Sequence, residues 1–281
     1  MSSYWLRKNL KTAVIYVILV IAVIVSVFPF YWVVTTSFKY QRDHFARPPI
    51  WIPKDWTLEN YQILFDKARF DIFPYVRNSF GIAFLNTAFV LAFSVPAAYA
   101  LGRYRIGGKA VAFGMLVARM LPPVALIIPL FILYRTLKLN NSYLGLVLAY
   151  TTFNGPLAVW LLMSFFEDFP AEIQDAALVD GCNEMQSLLR VVLPLVAPGV
   201  AVVALFCFLT GWNDLIFVLA LGGRDTQTLN LAMVNMLNAP SENLLGAAAS
   251  TVVLGIIPPF LVTLFMQRYL VTGLALGGVK G

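Results

Sequence analysis

Apolar residues run in six long blocks along the chain, at about 13–36, 79–101, 110–134, 144–166, 195–221 and 244–266. Each has roughly the 20 residues that a helix needs to cross the hydrocarbon core of a bilayer. In lipid every backbone polar group must be bonded within its own segment, so blocks of this kind are expected as helices. The pattern predicts an all-α, polytopic membrane protein with six transmembrane helices, organised over 1–281 as one membrane domain. The first block is too long for a signal-peptide core and lacks a small-residue cleavage site, which makes it a retained anchor.

Two of the polar connections stand out. Residues 39–78 form a long link with Pro48, Pro49 and Pro53 and the aromatic residues Trp51, Trp56 and Tyr61. It is expected to hold structure at the outer membrane face. Residues 167–194 carry six acids against one arginine and contain helix signals. Pro170 suits a first helical position, and Glu172 in the first turn complements the helix dipole. Gly181 can close that helix in a left-handed conformation. Asn183 with Gln186 three residues later has the form of a capping box opening a second helix towards Leu193. The spacing predicts a helix, a glycine break and another helix outside the bilayer, between the fourth and fifth spans.

Composition agrees: 60% of residues are hydrophobic, 12% are charged and the mean hydropathy is +0.78. A soluble domain averages about 25% charged residues. The net charge of +6 comes from short basic clusters between apolar runs, which fits contact with anionic lipid rather than nucleic acid. Arg7, Lys8 and Lys11 precede the first span, and Arg103, Arg105 and Lys109 crowd the short link after the second. By the positive-inside rule these favour a cytoplasmic N-terminus, and six spans then put both termini in the cytoplasm of a cell-membrane protein. The 39–78 connection would lie outside although it carries seven basic residues, which five acids accompany. Cys182 and Cys207 are too few for a disulfide framework and lack a C-x-x-C spacing. His44 is the only histidine and sits in a polar connection, so no histidine-based metal site or catalytic triad is expected, nor any cofactor.

Polar residues within apolar blocks usually face a bundle interior or a water-filled path. Arg119, just before Pro122 and Pro123, together with Asn154, Asn213 and Asp214, are candidates for lining a translocation path, with Tyr150 or Trp212 available for stacking on a solute. The same residues also fit plain helix-to-helix hydrogen bonding, including an Arg119–Asp214 pair. The prolines in blocks three, four and six fit either hinges or packing accommodations.

The segment Asp175-Ala176-Ala177-Leu178-Val179-Asp180-Gly181, followed after nine residues by Val191-Val192-Leu193-Pro194, resembles the "EAA" loop of binding-protein-dependent ATP-binding-cassette importers. That loop reads Glu-Ala-Ala, three residues, Gly, nine residues, Ile-x-Leu-Pro, so Asp175 and Val191 depart from it conservatively. The resemblance implies that 167–194 is a cytoplasmic coupling loop seated in a groove of an ATPase. In that reading Asp175, Ala176, Ala177, Gly181, Leu193 and Pro194 form the coupling site. The C-terminal run from Gln267 to Gly281 is similar to the ending of maltose-type permease subunits of the carbohydrate uptake family. This implies a cytoplasmic tail over 268–281 that reaches the ATPase through Gly277, Gly278 and Lys280.

No G-x-x-x-x-G-K-[ST] phosphate loop occurs. The resemblance therefore implies no enzymatic role for this chain, with ATP hydrolysis in a separate subunit. The implied partners are a second homologous permease subunit, two copies of a cytoplasmic ATPase, an extracytoplasmic sugar-binding protein and membrane lipid, with no nucleic acid. A permease for a non-sugar solute is the alternative within the class. A secondary transporter would need midplane carboxylates or inverted repeats, and a membrane enzyme a polar catalytic constellation; neither pattern is present.

Overall fold

The computed structural model describes residues 2–239 and 244–278. The described residues form helices and connections, with no strand among them. Two compact units emerge, Met1–Ile72 with Met233–Ile256, and Phe73–Ala232 with Ile257–Gly281.

In the first unit, α1 covers Ser2–Ser37. Its side chains from Val14 to Phe30 are mostly apolar and exposed, an arrangement suited to lipid and costly in water. The expected structure in the following connection is present. A short 3-10 turn at Gln41–Asp43 and a helix α2 at Glu59–Phe65 punctuate it. Trp51 meets the rings of Phe28 and Trp32 at 5.8 and 5.7 Å. Asn60 Nδ2 donates to the carbonyls of Ser37 and Lys39 at 2.9 and 2.8 Å, tying α2 to the end of α1. Lys39 is buried with its ammonium 4.2 Å from the Trp32 ring centroid. Burial pushes its pKa down, against the opposing pull of Asp43.

The second unit starts with α3 at Phe73–Arg103. The block expected as one continuous third span is broken into α4, Gly108–Arg119, and α5, Pro123–Thr136, bent by 89°. Proline disfavours helical dihedrals in the residue before it. Pro122 accordingly takes an extended ψ of 132° and Pro123 opens α5 at its first position. Helix α6, Tyr143–Glu167, matches the fourth block; Ser142 caps it by accepting from the Gly145 N–H.

Helix α7 spans Ala171–Val179 and α8 spans Glu184–Ser187. A π turn at Leu188–Val192 then leads without a break into α9, Leu193–Asn213. The fifth span was expected from 195; its helix instead begins at Glu184 and runs to Asn213. Pro194 explains the π turn: it removes an N–H donor and crowds the carbonyl four residues earlier. The block also ends sooner than expected. Asp214 leaves the helix with ψ 137° and a separate helix α10 follows at Ile216–Leu221. Helices α11, Leu229–Leu237, and α12, Leu245–Gly278, complete the chain.

The core of the second unit lies among α3, α6 and α9, where Val90, Ala98, Leu162, Val203 and Cys207 are fully buried or nearly so. Close approach depends on small residues: a Cβ at Gly102 would stand 2.8 Å from the Met163 carbonyl oxygen. Asn86, wholly buried, donates across to the Cys207 carbonyl at 3.3 Å. Cys182 and Cys207 are both free thiols. Among the described residues five helices are long and apolar enough to cross a membrane, and the bent α4–α5 pair makes six if it counts as one span.

Candidate functional site

Helix α7 and its flanks form the first candidate site. The helix has no side-chain N-cap, and Pro170 stands at the capping position, one residue outside the first helical position expected for it. Its C-terminus closes as a Schellman motif. The Gly181 N–H bonds to the Leu178 carbonyl at 3.1 Å and the Cys182 N–H to the Ala177 carbonyl at 3.0 Å. Gly181 itself has φ +91°, where a side chain is strained. The expected capping box is present: Asn183 Oδ1 accepts from the Gln186 N–H at 2.9 Å, and Gln186 Oε1 accepts from the Asn183 N–H at 3.0 Å.

Asp175, Ala176 and Gly181 are exposed. Ala177, which sequence reasoning turned towards a partner, is instead buried in this chain at 7% exposure. Leu193 is half-buried and Pro194 exposed, both at the start of α9. Asp175 forms an ion pair with Arg103, the last residue of α3, at 3.6 Å, and Arg103 also donates to the Ala171 carbonyl at 3.4 Å.

Sequence reasoning missed the strongest tie. Gln174 is 2% exposed, and its Nε2 donates to the hydroxyls of Tyr99 and Tyr104 at 2.6 and 2.9 Å and to Glu184 Oε2 at 3.3 Å. Tyr104 in turn donates to Glu184. Burial pushes the Tyr104 phenol well up, aided by the hydrogen bond to the Glu184 carboxylate, so it remains a neutral donor. One buried amide thus binds α7 to the end of α3 and the start of the helix that becomes α9. Its only sequence signal was a polar residue on the face shared with Ala177. At the end of α7, Val179 is 86% exposed, an apolar tip that this chain leaves uncovered.

The second candidate site is a cavity of about 330 Å3. Arg119, Asn154 and Asp214 all line it, with Tyr150, Phe153 and Phe217. Asn154 lies near the middle of α6 and its Oδ1 accepts from the Thr210 hydroxyl at 3.0 Å. Asp214, just past α9, caps α10: its Oδ2 accepts from the N–H groups of Phe217 and Val218 at 3.1 and 3.4 Å. The Arg119 guanidinium lies 5.5 Å from the Phe206 ring centroid. The expected Arg119–Asp214 pair is not formed; among the described residues no ion pair within 4.0 Å joins them. The Asp214 backbone bonds explain why: the break after α9 turns the carboxylate onto α10. Asn213 does not line the cavity, being exposed and bonded to the Leu209 carbonyl of its own helix at 2.9 Å. Trp212 is buried and stacked with Phe208 at 5.9 Å, so it is no platform for a ligand. Of the tail residues, Gly277 and Gly278 belong to α12, while Lys280 lies outside the described residues.

A polytopic helical protein that keeps a polar cavity between its apolar helices has the make-up of a solute pathway, and its class is that of membrane transport components. The family is defined by sequence: residues 90–275 match the model of the binding-protein-dependent transport system inner membrane component. The chain belongs to this family. It is 33% identical over its whole length to the sulfoquinovosyl glycerol transport system permease protein SmoH of Agrobacterium fabrum, covering 97% of that protein. It is 33% identical to the diacetylchitobiose uptake system permease protein DasC of Streptomyces coelicolor, over 91% of this chain and 92% of that one. The fold is similar to a chain of a bacterial ABC transporter involved in import of the acidic polysaccharide alginate, with a TM-score of 0.79 over 93% of this chain and 96% of that one, at 23% identity. The protein is therefore a multi-pass membrane permease component of a binding-protein-dependent transport system, a family in which ATP is hydrolysed by a separate subunit.

Proposed function

We propose that this chain is a membrane-spanning subunit of an ATP-driven sugar importer, passing a sugar received from an extracytoplasmic binding protein through its helices. The observation that carries the coupling role is the Gln174 anchor with the exposed Val179 tip. Motion applied by an ATPase at α7 would reach α3 and α9 through buried hydrogen bonds rather than through a slack loop. Sugar as cargo is supported by relatives for sulfoquinovosyl glycerol and diacetylchitobiose that match over nine-tenths or more of both chains. A trehalose/maltose system permease protein, MalG of Thermococcus litoralis, matches at 28% identity over 98% of this chain.

In this reading α4 and α5 make one broken span of six, both termini and 167–194 face the cytoplasm, and 39–78 faces outward. A second permease subunit and two ATPase copies complete the transporter. Asp175, Ala176, Gly181, Leu193 and Pro194 serve the ATPase contact, Ala177 supports it from within, and Gly277, Gly278 and Lys280 add a tail contact. Arg119, Asn154 and Asp214 line the path. The test is uptake of radiolabelled sugar by cells in which the gene is deleted and then restored. Restored chain should recover uptake of the sugar held by the partner binding protein, and Val179→Asp should not, at equal membrane abundance. Full uptake by Val179→Asp would remove the coupling assignment.

A further inference from the structure

The cavity shared by α4, α6 and α9 has the chemistry of a binding site rather than of a bare passage. Its volume of about 330 Å3 falls at the small end of ligand sites, which run from about 300 to 1,000 Å3. That is room for a sugar ring. Phe153 and Phe217, with ring centroids 5.1 Å apart, supply an apolar wall. Against it stand polar groups. Arg119 Nη1 is buried and makes no hydrogen bond, and the Tyr150 hydroxyl faces the Asp214 carboxylate. The Thr210 hydroxyl lies 3.0 Å from Asn154 Oδ1, and Asn154 adds an amide to the cavity wall.

Arg119 and Asp214 line one cavity and do not meet. Charges among apolar helices are costly unless something completes them. An anion would complete Arg119 and be repelled by Asp214; a cation would do the reverse. A hydroxyl both donates and accepts. Two neighbouring hydroxyls on one ring can accept from Arg119 and donate to Asp214 together, and the ring's C–H face suits the phenyl wall.

We propose that the cavity is a substrate subsite within this chain, taking one uncharged pyranose ring of the transported sugar, with Arg119 and Asp214 holding adjacent hydroxyls. Tyr150 and Asn154 provide the further polar contacts. This rests on the reading of the chain as a sugar permease, and it places recognition in this subunit as well as in the binding protein.

Saturation-transfer NMR on the full chain in lipid nanodiscs tests it, with glucose, trehalose and maltose as probes and glucuronate and glucosamine as charged counterparts. The neutral sugars should show transfer, stronger on one ring of each disaccharide, and the charged ones markedly less. Arg119→Gln and Asp214→Asn should each weaken binding by about tenfold or more, the loss of a hydrogen bond to a charged group. Tyr150→Phe, which keeps the ring and the packing, should weaken it several-fold and guards against misfolding of the charge variants. Transfer equal in wild type and all three variants, no transfer from any neutral sugar, or glucuronate binding best would overturn the subsite. Uptake of labelled trehalose and maltose by cells separates the two levels. Uptake with no transfer to the isolated chain removes the subsite and leaves the permease reading standing. If the cells take up no sugar through this chain, the permease reading itself falls.

Discussion

At the scale of single residues, Gly181 and Gln174 show how little chemistry the coupling segment needs. Gly181 has φ +91° and nothing within 4 Å of where a Cβ would sit. Any harm from replacing it is therefore conformational, about 1–2 kcal/mol for a left-handed residue with a Cβ. Gly181→Val and Gly181→Pro should lose uptake while inserting normally, and Gly181→Asn, which tolerates this region, should keep most of it; uptake normalised to membrane abundance distinguishes them. Gln174 works by the opposite means, through bonds. Gln174→Leu leaves the Tyr99 hydroxyl without its donor in a buried setting, a loss of about 1–3 kcal/mol. A lower unfolding temperature of the purified chain, together with ATP hydrolysis that no longer tracks uptake in the assembled transporter, is the expected result. Asp175→Asn should be mild by comparison. Its ion pair with Arg103 joins a carboxylate that is 68% exposed, and pairs of that kind contribute about 0–1 kcal/mol.

Among the elements, the two that depart from a simple span are both governed by proline. Pro122 and Pro123 split the third block into α4 and α5, and Pro194 accompanies the π turn that joins α8 to α9. Replacing Pro122 and Pro123 together by leucine should let helix run through the break and carry Arg119 away from the cavity. The expected outcome is normal insertion with uptake lost. A double variant that transports normally would show that the 89° break is not needed. These elements also mark how far the sequence could be read. Apolar blocks gave the helices, because length and hydropathy decide whether a segment crosses lipid. The Asn183–Gln186 capping box and the Gly181 stop were legible because local hydrogen bonding alone dictates them. The Arg119–Asp214 pair was misread because distance along the chain says nothing of the turn after Asn213 that commits Asp214 to α10. Ala177 and Gln174 escaped for a related reason. Which face of α7 is buried depends on α3 and the start of α9, and no pattern within nine residues records that.

For the whole molecule, orientation is the first question, since the coupling role requires 167–194 to lie in the cytoplasm. Cys182 is half-buried on that segment, so the labelling background is Cys182→Ser. In it, a membrane-impermeant maleimide should reach Lys54→Cys from outside intact cells and Val179→Cys only after the membrane is opened. The reverse pattern would invert the topology. The most direct trial of the account is a crosslink from the same exposed position. With Val179→Cys carrying a short photoactivatable group in membranes holding the complete transporter, one major adduct is expected. Mass spectrometry should identify the attached protein as the ATPase subunit, by its phosphate-binding loop, and adduct yield should change when ATP is added. Efficient labelling of Val179→Cys without any adduct to an ATPase subunit would contradict the claim that α7 is the point through which ATP hydrolysis drives this protein.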